Sequence, residues 1–218
     1  MSVPLLDKPA FPSTEEKLVT LYGISWQQFK GIEAQLKDNR DVRLSYLSRI
    51  LEIMSPIGEK HEEVKSTLSL LLDAYMKEKG IRFYKRGGYT LEAPGYASGT
   101  PDESYSIGTK REVPDIVIEI IVTSGTIDRK ELYKPKQVPE VWFWKSNFMQ
   151  IFRFTGWGEY EEVERSGFFP DLDKSLLLRY IGHPDQYNAV NEFVQIIRNW
   201  QKTDVGSVGD IDHQTYVL

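Results

Sequence analysis

An α/β architecture, a central mixed β-sheet flanked by α-helices, is predicted by three features of the chain. The first is the run Ile116-Val117-Ile118-Glu119-Ile120-Ile121-Val122, apolar but for one carboxylate, which reads as a strand covered on both faces. The second is the helical spacing of His61, Val64, Leu68, Leu71, Leu72, Tyr75 and Met76, stopped by Gly80. The third is an aromatic hairpin: Val141-Trp142-Phe143-Trp144, a turn at Lys145-Ser146-Asn147, and Met149 to Phe154. With 218 residues, 40% hydrophobic and 27% charged, the chain suits one globular domain with a sizeable core.

The remaining elements follow in order. Pro4, Pro9 and Pro12 make residues 1–12 an arm. Ser13 and Glu16 have capping-box spacing for a short helix through about Leu21. Ser25 and Gln28 repeat it before Phe29, Ile32 and Leu36, so a second helix is expected to end near Asp38-Asn39. Val42, Leu44 and Tyr46 alternate, and Leu51 and Ile53 resume after Ser48-Arg49, as in a hairpin. Strands are expected at Ile81 to Tyr84 and Tyr89 to Ala93, with loops and a short Ser104–Ile107 strand between Pro94 and Lys110. Thr126 caps a predicted helix running to Lys134, which Pro135 ends or bends. Tyr160 to Val163 extends the hairpin, and Val190, Phe193, Val194, Ile197 and Trp200 mark a C-terminal helix. This divides the chain into an arm with a short helix (1–24), a domain (25–202) and a tail (203–218).

Composition excludes several functions. Without cysteine there is no disulfide, thiolate zinc site or cysteine nucleophile, which fits a reducing compartment. Met1 to Asp7 has neither a basic start nor an apolar core, and no apolar run approaches the roughly 20 residues of a membrane span, so a cytoplasmic protein is expected. A net charge of −5 provides no global attraction to nucleic acid, so such contacts need a local basic patch. There is no Gly-rich phosphate loop and no Gly-x-Ser-x-Gly elbow. His61, His183 and His213 form no zinc-spaced pair, and His61 on an apolar helical stripe reads first as a core or cap residue.

A charged carboxylate inside a buried strand is costly unless paired or bound to metal, which makes Glu119 a candidate. Asp102, in Gly99-Thr100-Pro101-Asp102-Glu103, lies 17 positions earlier. If their segments pair, the two carboxylates can converge on a hard cation such as Mg²⁺ or Mn²⁺, which would lower the pKa of a bound water and offset phosphodiester charge. The alternative is that Asp102 caps a turn and Glu119 pairs with an Arg or Lys.

Taken together, several motifs resemble one known family. They are Leu51-Glu52-Ile53-Met54-Ser55-Pro56, His61-Glu62, Pro101-Asp102-Glu103-Ser104, Pro114-Asp115-Ile116-Val117-Ile118-Glu119-Ile120, Tyr133, and Val138-Pro139-Glu140-Val141-Trp142. In that order, over about residues 25 to 200, they resemble the Uma2 family of restriction-endonuclease-like proteins. The resemblance implies the PD-(D/E)xK nuclease fold and a site that binds divalent metal. It implies Asp102 and Glu119 as metal ligands, with the Ile120 carbonyl beside them and Glu62 near a second ion or its water shell. Asp115 starts the strand and is the lesser candidate. Where the E-x-K element needs lysine this chain has Ile121. Relatives take a lysine from the following helix, four residues before the tyrosine matching Tyr133; that position is Arg129, with Lys130 next. Arg stays protonated and is a poor proton acceptor. Relatives also tend to carry glycine where Gln137 stands, and Pro135 is unexpected in a helix that should aim Arg129 and Lys130.

Lys77, Lys79, Arg82, Lys85 and Arg86, with Arg129, Lys130, Lys134 and Lys136, could contact phosphate at the mouth of such a site, or form an ordinary solvated surface. Trp142 and Trp144 share a strand face, as core or dimer-contact residues rather than a base-stacking platform. The expected function is a Mg²⁺- or Mn²⁺-dependent endonuclease hydrolysing DNA, with a homodimer possible. The alternatives are a weak or inactive nuclease-fold protein that binds nucleic acid or protein, and a hydrolase of another phosphate ester.

Overall fold

The structure is a computed structural model and describes residues 16–39, 41–55 and 58–206. It begins with β1 (Lys17–Tyr22), α1 (Trp26–Leu36), β2 (Arg43–Leu47), β3 (Ile50–Ser55) and α2 (Glu59–Glu78). Next come β4 (Phe83–Lys85), β5 (Leu91–Ala93), β6 (Ala97–Gly99), β7 (Glu103–Ile107) and β8 (Ile116–Ile121). After α3 (Arg129–Tyr133) and a 3-10 turn (Lys134–Lys136) follow β9 (Glu140–Lys145), β10 (Phe148–Phe154) and β11 (Tyr160–Val163). Two helices, α4 (Lys174–Ile181) and α5 (Gln186–Gly206), complete the described chain.

Two sheets result. One is antiparallel, in the order β1-β3-β2-β6-β5. The other is mixed, in the order β11-β10-β9-β8-β7-β4, with β8 and β9 parallel and its other pairs antiparallel. The mixed sheet explains the apolar run at Ile116, because both faces of β8 are covered. Ile116, Ile118 and Ile120 join Trp142 and Trp144 of β9 in a core with Leu68, Leu72, Tyr180 and Phe193 of the long helices. Val117 and Ile121 face the other way, with Val141, Phe143, Leu132 and Tyr133. Glu119 shares this second face by strand alternation. The two tryptophans are therefore core residues. A third cluster (Phe29, Tyr46, Leu51) seats α1 on the antiparallel sheet, with the Phe29 and Tyr46 rings stacked 4.8 Å apart.

Most expected elements are present. The Ser25 capping box forms in both directions: Gln28 N donates to Ser25 Oγ at 3.2 Å and Ser25 N to Gln28 Oε1 at 2.8 Å. Both hairpins close through two residues in the left-handed region, Ser48-Arg49 and Ser146-Asn147, as a right-handed strand twist requires. Three readings change. The helix expected from Ser13 to Leu21 is, over its described part, the strand β1, because Lys17 to Tyr22 pairs along β3; Ser13 and the arm lie outside the described residues. Glu16 is not a capping residue there, since its carboxylate accepts from Thr123 N at 3.1 Å. The cap of α3 is Asp128 rather than Thr126, Asp128 Oδ1 accepting from Lys130 N at 3.1 Å. β6 and α4 escaped notice because three residues and a short helix leave little period to read. Beyond residue 203 the chain stays helical to Gly206. Among the described residues, no helix is long and apolar enough to cross a membrane.

The geometry also accounts for Pro135. Helix α3 closes at Tyr133, and Pro135 sits at the start of the 3-10 turn, where a backbone N–H is not needed. Gln137 then caps that turn at φ 51°, the left-handed region that glycine adopts freely. Gln137→Gly is expected to raise stability by about 1 kcal/mol, since the left-handed penalty for a residue with a Cβ is about that size. Thermal denaturation checks it; an unchanged or lower midpoint would show that the Gln137 conformation carries no strain.

Candidate active site

β7 and β8 pair side by side, which brings Asp102 beside Glu119's strand. Asp102 N donates to Ile118 O at 3.0 Å, and Asp102 Oδ2 accepts from Ile120 N at 2.6 Å. A residue's N–H and C=O leave a strand on the same edge, so the Ile120 carbonyl also points towards Asp102. Asp102 is 4% exposed and Glu119 1%. Two oppositely charged sets hold them.

Around Asp102 stand Arg43 of β2 and His61 of α2. Arg43 Nη2 forms an ion pair with Asp102 Oδ1, and His61 Nε2 lies 3.0 Å from the same oxygen. No aligned hydrogen bond reaches Oδ1 or either His61 nitrogen, so charge rather than direction couples them. Burial pushes the Asp102 carboxyl up, but His61 and Arg43 outweigh it and hold it below the usual carboxylate range. Burial opposes charge on His61 too, yet Asp102 raises its pKa above the ordinary value.

Around Glu119 stand two residues of α3. Tyr133 Oη donates to Glu119 Oε1, and Arg129 Nη1 lies 3.6 Å from Oε2 while donating to Ser45 Oγ at 3.1 Å. Burial raises the Glu119 carboxyl, and the Arg129 guanidinium offsets this only in part. Burial and then Glu119 push the Tyr133 phenol well above its usual value. Arg129 itself is held charged, Glu119 outweighing burial.

The other sequence candidates fall elsewhere. Lys130 Nζ is 4.4 Å from the Phe152 ring centre and 3.2 Å from Asp128 Oδ2, so Arg129, not Lys130, stands at Glu119. Glu62 has a side chain 47% exposed and paired with Lys65; it approaches the centre only through His61 Nδ1, at 3.4 Å. Asp115 accepts from Ile107 N at 2.7 Å and pairs with Arg111, a role in anchoring the strand. The basic cluster is partly consumed: Lys79 pairs with Asp171, Lys85 with Asp73 and Glu103, and Lys134 with Glu131 and Glu159. Lys77 lies about 24 Å along α2 from His61 at 1.5 Å per residue, far from the mouth of this site.

Sequence reasoning missed Arg43 and the role of Glu52. Glu52 sits in β3 between Leu51 and Ile53, the same signal of a carboxylate in an apolar strand that singled out Glu119. Its Oε1 accepts from Thr126 N and from Ile127 N (2.8 Å), fixing the loop before α3. Gly125 is obligatory there, because a Cβ would lie 2.6 Å from Glu52 Cδ.

Two carboxylates and a carbonyl on one edge form a hard-oxygen donor set suited to Mg²⁺ or Mn²⁺, ions that fill their shell with water and substrate phosphate. Among the described residues, no group of three or more His, Cys, Asp or Glu is arranged around a metal position. The donor set fits such an ion through Asp102 Oδ1, the buried oxygen without an aligned hydrogen bond, once the Arg43 guanidinium gives way.

A family model described as Uma2, "Putative restriction endonuclease", matches residues 26–180. Among curated proteins, none matches the chain.

Two stability changes are expected. Arg43→Met leaves Asp102 short of its main counter-charge and should cost about 3–5 kcal/mol, the range for half of a buried ion pair. Gly125→Ala must displace the Glu52 carboxylate from Thr126 and Ile127 and should cost about 2 kcal/mol or more. Urea unfolding measures both; losses within about 0.5 kcal/mol, the range for surface changes, would refute these roles.

Proposed function

Because the chain belongs to the Uma2 family, we propose that Asp102 and Glu119 form the centre of a divalent-metal-dependent endonuclease that hydrolyses DNA phosphodiesters. The supporting observation is the convergence of these two carboxylates and the Ile120 backbone where β7 meets β8. Asp102, Glu119 and the Ile120 carbonyl would hold Mg²⁺ or Mn²⁺, which supplies an acidified water and charge compensation when bound.

Hydrolysis adds water to phosphorus, breaks one P–O ester bond and leaves a phosphate monoester and a free hydroxyl. The phosphorus passes through a state with extra negative charge on its equatorial oxygens. Arg129 answers that charge. It remains protonated and has fork-shaped donors, so it suits an anion and cannot take the proton of water. Tyr133 holds Glu119 in one orientation from below, while Ser45 fixes the guanidinium. His61 and Arg43 keep Asp102 ionised and ready to ligate at neutral pH.

One observation favours a second reading, a nuclease-fold protein that binds without cutting. Arg43, His61, Arg129 and Tyr133 already engage the carboxylates, and Ile121 replaces the E-x-K lysine. Metal titration and cleavage separate the two. Mn²⁺ binding by calorimetry is expected for the wild type and lost in Asp102→Ala; equal binding by both sinks the metal assignment. Asp102→Asn, Glu119→Gln and Arg129→Ala should each lower DNA cleavage about 100-fold or more, as loss of a charge-stabilising group does, with Lys130→Ala losing far less. Wild-type metal binding without cleavage of any DNA tested favours the second reading.

A further inference from the structure

Beyond Ile121 the strands β8 and β9 end together, as parallel neighbours must, and a cavity of about 230 Å³ opens at their C-terminal ends. Such crevices at strand carboxyl ends are where open α/β sheets place ligands. Three cations line it, Arg129, Lys130 and Lys145, against one carboxylate, Asp128. Arg129 faces Glu119, and Asp128 is paired with Lys130. Lys145, the last residue of β9, is exposed and has no ion pair among the described residues. Thr123 and Ser124 bring hydroxyls to the same wall.

The cavity is a built feature. Lys130 is laid across the Phe152 ring, which keeps its ammonium group over the cavity rather than free in solvent. Glu52 holds Thr126 N and Ile127 N, so the loop that forms the wall is tied to β3. Its distance from the centre is also informative. Ile121 is two residues beyond Glu119 on the same strand face, about 7 Å along the backbone, close to one nucleotide step of an extended strand.

We propose that this cavity is a subsite for the backbone phosphate next to the scissile one, with Lys130 and Lys145 as its ligands. It rests on the nuclease reading for its orientation: the scissile phosphate lies at Glu119 and Arg129, and the strand runs on over Ile121. Lys130 is then a substrate-positioning residue, which explains why the only free lysine of α3's first turn is aimed away from Glu119.

Fluorescence anisotropy of a short labelled oligothymidylate, in chelator so that nothing is cut, tests this. The double variant Lys130→Glu, Lys145→Glu is expected to bind at least tenfold more weakly, with a salt slope lower by about 2, one for each lost phosphate contact. Lys145→Glu alone, at an exposed strand end, gives the same direction in case the double variant folds poorly. A control pair at the far end of α2, Lys77→Glu with Arg82→Glu, should keep wild-type affinity. Unchanged binding in the Lys130/Lys145 variant, binding carried by Lys77 and Arg82 instead, or no binding by the wild type would each overturn the subsite. Failure of the nuclease reading looks different: the strand binds through Lys130 and Lys145 but is not cut with Mn²⁺. Cleavage with a KM indifferent to both lysines would leave the nuclease and remove the subsite.

Discussion

Two carboxylates in a protein interior can stay charged only where positive charge is brought to them, and that balance organises this molecule. Isolated, either carboxylate would be strongly disfavoured in a low-dielectric core. Arg43 comes from the antiparallel sheet, His61 from the start of the longest helix flanking the mixed sheet, and Arg129 from the helix after β8. The acids themselves belong to the mixed sheet and its entry. The electrostatic requirement thus ties together layers that apolar packing alone would leave free to slide. Not every buried acid is used in this way: Glu140 is satisfied by Trp142, Ser166 and Gly167, and Asp115 by Ile107 with help from Arg111.

The same balance shapes the chemistry. Two arginines and a histidine whose pKa is raised surround two acids, so the centre carries enough positive charge to receive a phosphate. Entry of a divalent cation exchanges one positive partner for another at Asp102, and the phosphate it accompanies restores neutrality. The arginine at position 129 therefore changes what the migrated lysine position can do, from proton handling to anion binding, without disturbing the ion pair that Glu119 needs.

Much of the fold was legible because its signals are local. The Ser25 capping box, the stripe on α2 and the paired turn residues at Ser48-Arg49 and Ser146-Asn147 each lie within a few positions of one another. The β1 strand was misread for the complementary reason. Lys17 to Tyr22 carries a plausible helix start, and only the open edge of β3, some 30 residues on, makes it a strand. Within the candidate site, Asp102 and Glu119 stood out because a carboxylate in an apolar setting is anomalous in itself. Arg43 did not, since an arginine in an alternating strand ordinarily faces water.

The sequence by itself determined the class of fold, the two acids, and the uncertainty between Arg129 and Lys130. Periodicity and burial cost are properties of a residue and its near neighbours. What only the tertiary structure decided is pairing: Arg43 and His61 on Asp102, Arg129 with Tyr133 on Glu119, Lys130 on Phe152, and Glu52 under the loop at Gly125. Those partners lie between 14 and 75 residues apart, apart from those within α3 and its neighbouring strands. Adjacent residues of a helix project in directions about 100° apart, so whether Arg129 or Lys130 reaches Glu119 depends on the rotation at which α3 docks. That rotation is set by Leu132 and Tyr133 packing against β6 and β8, contacts no local pattern records.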